Sequence, residues 1–230
     1  MKVLILGNGL LGSEIIKQTN WDYLSRENDN FNFCDPKSYV DRLSDYDTIL
    51  NCVGYTNTYS KEKEKHREIN YKGVVDLSDI CQKLGKKLIH ISTDYVYEYS
   101  SSYATEDDIP LICGNWYTYY KLLADEYIML KNNNYLICRT AFKLKPFPYE
   151  TAWIDQIGNF DYVDVISDLI IKLINKNARG LYNVGTSEKT IYQLALITNE
   201  NVKEGHRPFY VPYDITMNIK KLQEILKQDK

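Results

Sequence analysis

Little in this chain could hold a metal or build a disulfide framework. Its five cysteines, Cys34, Cys52, Cys81, Cys113 and Cys138, are odd in number and form no C-x-x-C pair. Its three histidines, His66, His90 and His206, fall at no ligand spacing. Zinc sites need clustered His and Cys donors, so no metal site is expected. Free thiols buried in a reducing cytosol are expected instead, with Cys52 and Cys138 inside apolar, strand-like runs. Positive charge is short as well. A formal net charge of −3 removes the basic footprint that a nucleic-acid partner requires. Long apolar runs are missing: Met1–Leu6 is too short to cross a bilayer and has no basic n-region. It reads as a core strand and not as a signal, so the expectation is a cytoplasmic chain without a membrane partner. There is no internal repeat and no low-complexity linker. At 230 residues and 44% hydrophobic, one substantial core is expected, as a single domain over 1–230 with a small lobe from 141–161 and 186–230.

The N-terminus carries the clearest positive signal. Met1–Leu6 suits a strand buried on both faces of a parallel sheet. Gly7, Asn8, Gly9, Leu10, Leu11 and Gly12 follow in G-x-G-x-x-G spacing. Gly7 permits the tight turn, Gly9 admits close backbone approach to a pyrophosphate, and Gly12 lets the next helix pack against the sheet. That helix is expected over Ser13–Gln18, with its N-terminal amides toward the diphosphate. The motif has strand-to-helix context, which separates a dinucleotide site from a merely structural turn. A second strand is expected at Trp21–Leu24. The usual acidic residue that would hold an NAD ribose is not obvious there; Ser25 and Arg26 come directly after the strand. An Arg there can pair with a 2′-phosphate, so NADPH is preferred and NADH stays open, the alternative being a solvated loop arginine.

A second constellation lies downstream. Lys87–Ser92 reads as a buried strand, with Ser92, Thr93 and Asp94 at its C-terminal end, where ligands bind in open α/β sheets. His90 alternates with apolar neighbours and reads as a core residue or as support for a nearby site. Asn115–Lys131 has helical character, and Tyr117 and Lys121 lie four positions apart on one face. A free phenol titrates near pH ~10, and an adjacent ammonium favours the phenolate. Tyr117 could then protonate a carbonyl oxygen while Thr93 holds the same oxygen. In a chain with 21 tyrosines, Y-x-x-x-K carries weight only because it follows a dinucleotide motif and a strand-terminal Ser-Thr. The polar stretch Tyr97–Asp108 is long enough for a lid or substrate loop, or is a plain solvated connection.

These segments resemble the extended short-chain dehydrogenase/reductases, and more narrowly the dTDP-4-dehydrorhamnose reductase family and related UDP-sugar reductases. `GNGLLGSEI` is similar to their cofactor turn. `TILNCVGYT` at Thr48–Thr56, with Val53, Gly54 and Tyr55, resembles the loop that passes the riboses. Glu62–Asn70 resembles the opening of their next long helix. `LIHISTDYVY` is the most specific match, and `YTYYKLLAD` supplies the Tyr and Lys, with Thr93 and Tyr117 twenty-four residues apart. `YVDV` and `GLYNVG` resemble later landmarks.

The resemblance implies a doubly wound parallel α/β sheet of Rossmann type. It also implies a catalytic triad of Thr93, Tyr117 and Lys121, with Lys121 also on the nicotinamide ribose. Asp94, Tyr95 and Phe142 would face the substrate. The implied activity is an NADPH-dependent oxidoreductase acting on the 4-keto group of a nucleotide-linked 6-deoxysugar, in rhamnose and carbohydrate biosynthesis. A homodimer and a separate 3,5-epimerase are the partners it raises.

Three departures bear on that picture. Tyr95 stands where sugar-nucleotide 4,6-dehydratases carry a second carboxylate, which favours a plain reductase. Arg139, Thr140, Ala141 and Phe142 replace the family's Arg-Thr/Ser-Trp pattern. The stretch that should shape the sugar-nucleotide pocket is abbreviated to `KLKPFPYETAWIDQIGN`. An epimerase of the same superfamily and a non-catalytic nucleotide-binding regulatory subunit are the alternatives.

Overall fold

The computed structural model describes residues 1–111 and 114–228. Its main sheet has six strands. Five of them are β1 (Val3–Leu6), β2 (Asp22–Leu24), β3 (Thr48–Asn51), β4 (Lys87–Thr93) and β5 (Tyr135–Thr140). A sixth strand, Gly180–Val184, pairs beyond β5, and the order runs from it through β5, β4, β3 and β1 to β2. The β1–β2, β1–β3 and β3–β4 pairs are parallel, with Leu6 opposite both Leu24 and Asn51. This is the expected parallel α/β sheet. Residues Val3–Leu6 and Thr48–Asn51 are buried throughout, as strands covered by helices on both faces must be.

The order reverses between β1 and β3. In open α/β sheets such a reversal leaves a crevice at the carboxyl ends of the two strands. The chain leaves β1 into the glycine turn and leaves β3 into Val53–Tyr55, so both predicted cofactor segments start at that switch.

Compactness divides the chain into two units. The first comprises Met1–Ser92, Gly114–Cys138 and Ala178–Leu181. Its core sets strand residues Leu4, Leu6, Ile49, Leu88 and Ile137 against helix residues Val74, Leu77, Ala124 and Ile128. The second comprises Thr93–Cys113, Arg139–Asn177 and Tyr182–Lys230. It has its own apolar cluster, including Phe147, Phe160, Tyr162, Ile191, Leu194 and Ile215. It takes in both 141–161 and 186–230, together with the segment that follows the Ser-Thr of β4. Residues 229–230 and Cys113 lie outside the described residues.

Several sequence expectations shift. The first helix is Leu10–Thr19, three residues earlier than expected, because Gly9 is already its N-cap. The second strand begins at Asp22 and not at Trp21. Cys34 is exposed and Cys52 half-buried, whereas Cys81 and Cys138 are buried as expected. Cys34 is solvent-facing because it sits in the loop after Phe33, where only the aromatic neighbours turn inward. Nor is Tyr97–Asp108 a plain solvated connection. Tyr97 is buried, and its hydroxyl lies 3.1 Å from both the Thr105 carbonyl oxygen and Asn183 Oδ1, either of which can take its single proton. Ser102 Oγ bonds Asp214, and the Tyr103 amide donates to Thr216 Oγ1. These bonds tie the stretch to the rest of the second unit. No helix among the described residues is long and apolar enough to cross a membrane.

Candidate functional site

The glycine turn is built by crowding. Gly7 adopts φ +92°, a left-handed conformation that a side chain would strain. A Cβ on Gly12 would lie 2.1 Å from the Gly7 carbonyl oxygen and 3.4 Å from Cys52 Cβ. Only glycine lets the helix Leu10–Thr19 come this close to its own turn and to the end of β3. Gly9 is different, since a Cβ there meets no protein atom within 4 Å. Its side-chain-free cap leaves the first-turn amides of Leu10, Leu11 and Gly12 at the carboxyl edge of the sheet. Unfulfilled amides and a helix dipole make such a turn an anion cradle. Asn8 contributes its carbonyl, which accepts from Ser13 Oγ at 2.5 Å.

Ser25 and Arg26 follow β2 directly. Ser25 is buried and caps the short helix Arg26–Asp29, accepting from the Asn28 amide at 3.3 Å. Its own amide donates to Asp29 Oδ2 at 3.0 Å. Arg26 is the first residue of that helix and is exposed. The cap thus fixes the backbone from which the guanidinium projects.

The loop after β3 is held by two asparagines. The Val53 amide donates to Asn51 Oδ1 at 3.0 Å. Asn70 brackets Tyr55, accepting from its amide at 2.8 Å and donating to its carbonyl at 2.9 Å. Asn70 can reach that backbone because the helical stretch Lys63–Leu84 opens into a π turn over Arg67–Lys72. Such turns are rare and frequently lie at functional sites. The Tyr55 hydroxyl donates to Glu62, which holds that carboxyl below its ordinary range. The sequence placed Asn70 in a family-like stretch but gave no sign of this bracketing.

Tyr117 and Lys121 stand on the helix Trp116–Lys131, whose N-cap Asn115 accepts from the Thr118 amide. The Tyr117 ring lies 6.2 Å from the His66 ring in an edge-on arrangement. One turn along, Lys121 is buried. Its Nζ donates to the Ile91 carbonyl and lies 3.0 Å from His90 Nε2. Burial pulls its pKa from 10.5 down to about 8, against the pull of Asp125, which raises it. Asp125 follows one further turn on the same face, and its Oδ2 accepts from Ser92 Oγ at 2.8 Å. Asp125 went unnoticed in the sequence, although its four-residue spacing from Lys121 is the signal that finds it.

The second unit presents its own group of polar residues. Thr93 Oγ1 accepts from the Tyr95 amide at 3.2 Å and donates to Asp94 Oδ1 at 3.3 Å. Asp94 is buried, and desolvation raises its pKa to about 6, with Lys143 and the Thr93 bond opposing the rise. The Tyr95 hydroxyl accepts from the buried Gln156 amide at 3.3 Å. Phe142 is half-buried and pairs with Asp161 in a short parallel ladder. Arg139 is buried. It donates to the Tyr97 hydroxyl at 2.7 Å and lies over that ring at 5.0 Å.

The chain is similar to known proteins along most of its length. Residues 1–145 match the family described as the RmlD substrate binding domain. The spore coat polysaccharide biosynthesis protein SpsK of Bacillus subtilis is 28% identical over 209 residues, covering 81% of this chain and 74% of that one. A dTDP-4-dehydrorhamnose reductase of Mycobacterium tuberculosis is 29% identical over 103 residues, 42% of this chain and 34% of that one. The crystal structure of dTDP-4-dehydrorhamnose reductase from Bacillus anthracis in complex with NADP superposes with a TM-score of 0.82. That match has 23% identity and covers 97% of this chain and 92% of the other.

Proposed function

We propose, because the chain belongs to the RmlD substrate binding domain family, that it is an NADPH-dependent reductase of the 4-keto group in a nucleotide-linked 6-deoxysugar. The observation that carries this reading is the helix Trp116–Lys131. It sets Tyr117 one turn from a buried Lys121 that is anchored to the carbonyl of Ile91, two residues before Thr93. A buried ammonium beside a phenol favours the phenolate form, and a proton acid is what carbonyl reduction requires.

The cofactor's diphosphate would rest on the amides of Leu10, Leu11 and Gly12, with Arg26 and Ser25 at the 2′-phosphate. Val53, Gly54 and Tyr55 would line the riboses. Once bound, NADPH supplies a hydride to C4. Tyr117 then gives its phenolic proton to the C4 oxygen, Thr93 donates a hydrogen bond to that oxygen, and Lys121 holds the resulting phenolate and a ribose hydroxyl. Charge balances: the substrate gains a hydride and a proton, and Tyr117 recovers its proton afterwards. Asp94, Tyr95 and Phe142 would contact the sugar. NADH is a weaker alternative cofactor. The setting is the cytoplasm, with a homodimer as the assembly and a separate 3,5-epimerase supplying the substrate.

The test is NADPH oxidation with a mixed pool of 4-keto-6-deoxy sugar nucleotides. Turnover supports the reading. Tight NADPH binding with no turnover on any of them favours a regulatory subunit. Interconversion of epimers without net cofactor oxidation favours an epimerase.

A further inference from the structure

His90 is fully buried on β4, and its two ring nitrogens have different neighbours. Nδ1 lies 3.2 Å from Asn51 Nδ2. Nε2 lies 3.0 Å from Lys121 Nζ, and 3.9 Å from Asp125 Oδ1. The Asn51 amide is oriented by the Val53 amide, which donates to Oδ1, so Nδ2 is the group that faces the ring. An amide nitrogen only donates, so Nδ1 is an acceptor and a neutral ring carries its proton on Nε2. That proton then points at Lys121. An ammonium has three donors and no acceptor, so Nε2–H and an ammonium cannot be partners. An amine can accept from Nε2–H. Lys121 therefore has two self-consistent states. As an amine it accepts from His90 while Asn51 stays anchored to Val53. As an ammonium it requires a bare Nε2, a proton on Nδ1, and a turned Asn51 amide.

We propose that His90 is the positioning residue for Lys121, and that its tautomer and the protonation of Lys121 change together as one unit linked through Asn51 to the Val53 loop. This rests on the reductase reading only for its consequence, which is that His90 sets how much of the protein carries the ammonium Tyr117 needs. On going from the amine to the ammonium state the unit gains one proton. Lys121 takes one from solvent, and the ring proton moves from Nε2 to Nδ1.

The two thiols and the imidazole around Lys121 do not titrate in the same range. Burial pushes the Cys52 thiol, beside Lys121, up to about 12. Cys138 on β5, which faces Cys52 and Asp125, is pushed up further by burial. His90 itself is held well below its ordinary value, first by burial and then by Lys121, so it stays neutral while its tautomer changes. Asp125 on the same helix attracts the ammonium and accepts from Ser92 Oγ at 2.8 Å.

The experiment is NMR on the full chain with ¹⁵N-histidine and ¹³Cε-lysine labels. The chain has three histidines, so the His90 signals are assigned by comparison with a His90→Gln sample. In the wild type, His90 is expected as the neutral Nε2–H tautomer at high pH and as neutral Nδ1–H at low pH. The switch should have the same midpoint as the Lys121 ¹³Cε titration, near pH about 8. His90→Gln offers the ammonium a carbonyl acceptor and should raise the Lys121 midpoint by about one pH unit. His90→Phe offers none and should lower it by about as much. A packing role alone would move both variants the same way, or neither. A His90 tautomer that stays unchanged through the lysine titration overturns the proposal, and that measurement needs no variant. Coupled titrations in a protein that turns over no nucleotide sugar would sink the reductase reading and leave this inference standing.

Discussion

The carbonyl oxygen of Gly7 occupies the space where any side chain on Gly12 would begin: a Cβ there would lie 2.1 Å from it. Gly9, between them, has open space in the same position. Two glycines of one motif are therefore required for different reasons, and substitution separates them. Gly12→Ala must push the helix Leu10–Thr19 off its turn. We expect a loss of about 3 kcal/mol or more in chemical denaturation, in the range of an overpacked core site. Gly9→Ala should fold with nearly wild-type stability yet bind dinucleotide at least about tenfold more weakly, a difference of roughly 1.4 kcal/mol. Isothermal titration and urea melts on the pair check both halves. Equal dinucleotide affinity for Gly9→Ala and wild type would remove the diphosphate from this turn.

Arg26 projects from a helix start fixed by the Ser25 cap. Arg26→Ala should weaken NADPH by about 10- to 100-fold, the size of a lost charge-assisted contact. NADH should be unaffected, having no 2′-phosphate. Fluorescence titration of the two cofactors reads the difference directly, and equal losses for both would count against Arg26 as the discriminator.

Tyr117→Phe keeps the ring against His66 but has no proton to give. Turnover should vanish while NADPH affinity stays near wild type. Lys121→Ala should impair both, because the same ammonium serves Tyr117 and the ribose. Thr93→Val should lower kcat by roughly 10²–10³, the effect of one lost oxyanion donor. Full activity in Tyr117→Phe would mean that another acid does the chemistry.

Asp94 is a carboxyl whose folded value is raised by burial, from 3.8 to about 6. The folded state then binds its proton more tightly than the unfolded chain does. Stability from this group is greatest below pH 3.8 and is lost as pH rises toward about 6, by an order of 3 kcal/mol across that window. Asp94→Asn should flatten this part of the stability profile. Urea midpoints measured between the two values decide it, and a wild-type slope that persists in the variant would place the titration elsewhere.

How much of this could be read from residues alone depended on whether the signal was local. The glycine turn was readable because strand, turn and helix are contiguous, and steric demands on Gly7 and Gly12 arise within a few residues. Tyr117 and Lys121 were readable because helical periodicity puts them on one face. The same periodicity reaches Asp125, which the sequence reading passed over. His90 was readable as a core residue or as support for a nearby site, but its partners were not, since Asn51 and Lys121 come from other elements. Asn70 was readable as part of a resemblance and not as the clamp on Tyr55, because a π turn is a distortion that no apolar pattern encodes. Tyr97–Asp108 read as a lid or substrate loop or as a solvated connection, and its polar groups find partners far along the chain, Asp214 and Thr216 among them.

By itself the sequence determined the run of buried parallel strands, the glycine turn and the helix face bearing Tyr117 and Lys121. Each of these follows from side-chain period and from sterics that act over one or two turns. Tertiary structure alone decided which strand lies beside β1, and so where the order reverses. It also decided which atoms surround the Lys121 amine. The physical reason is that hydrogen-bond donors and acceptors must match atom by atom in a buried space. The Asn51 amide, the His90 ring and the Lys121 amine meet only when β3, β4 and the helix Trp116–Lys131 pack together.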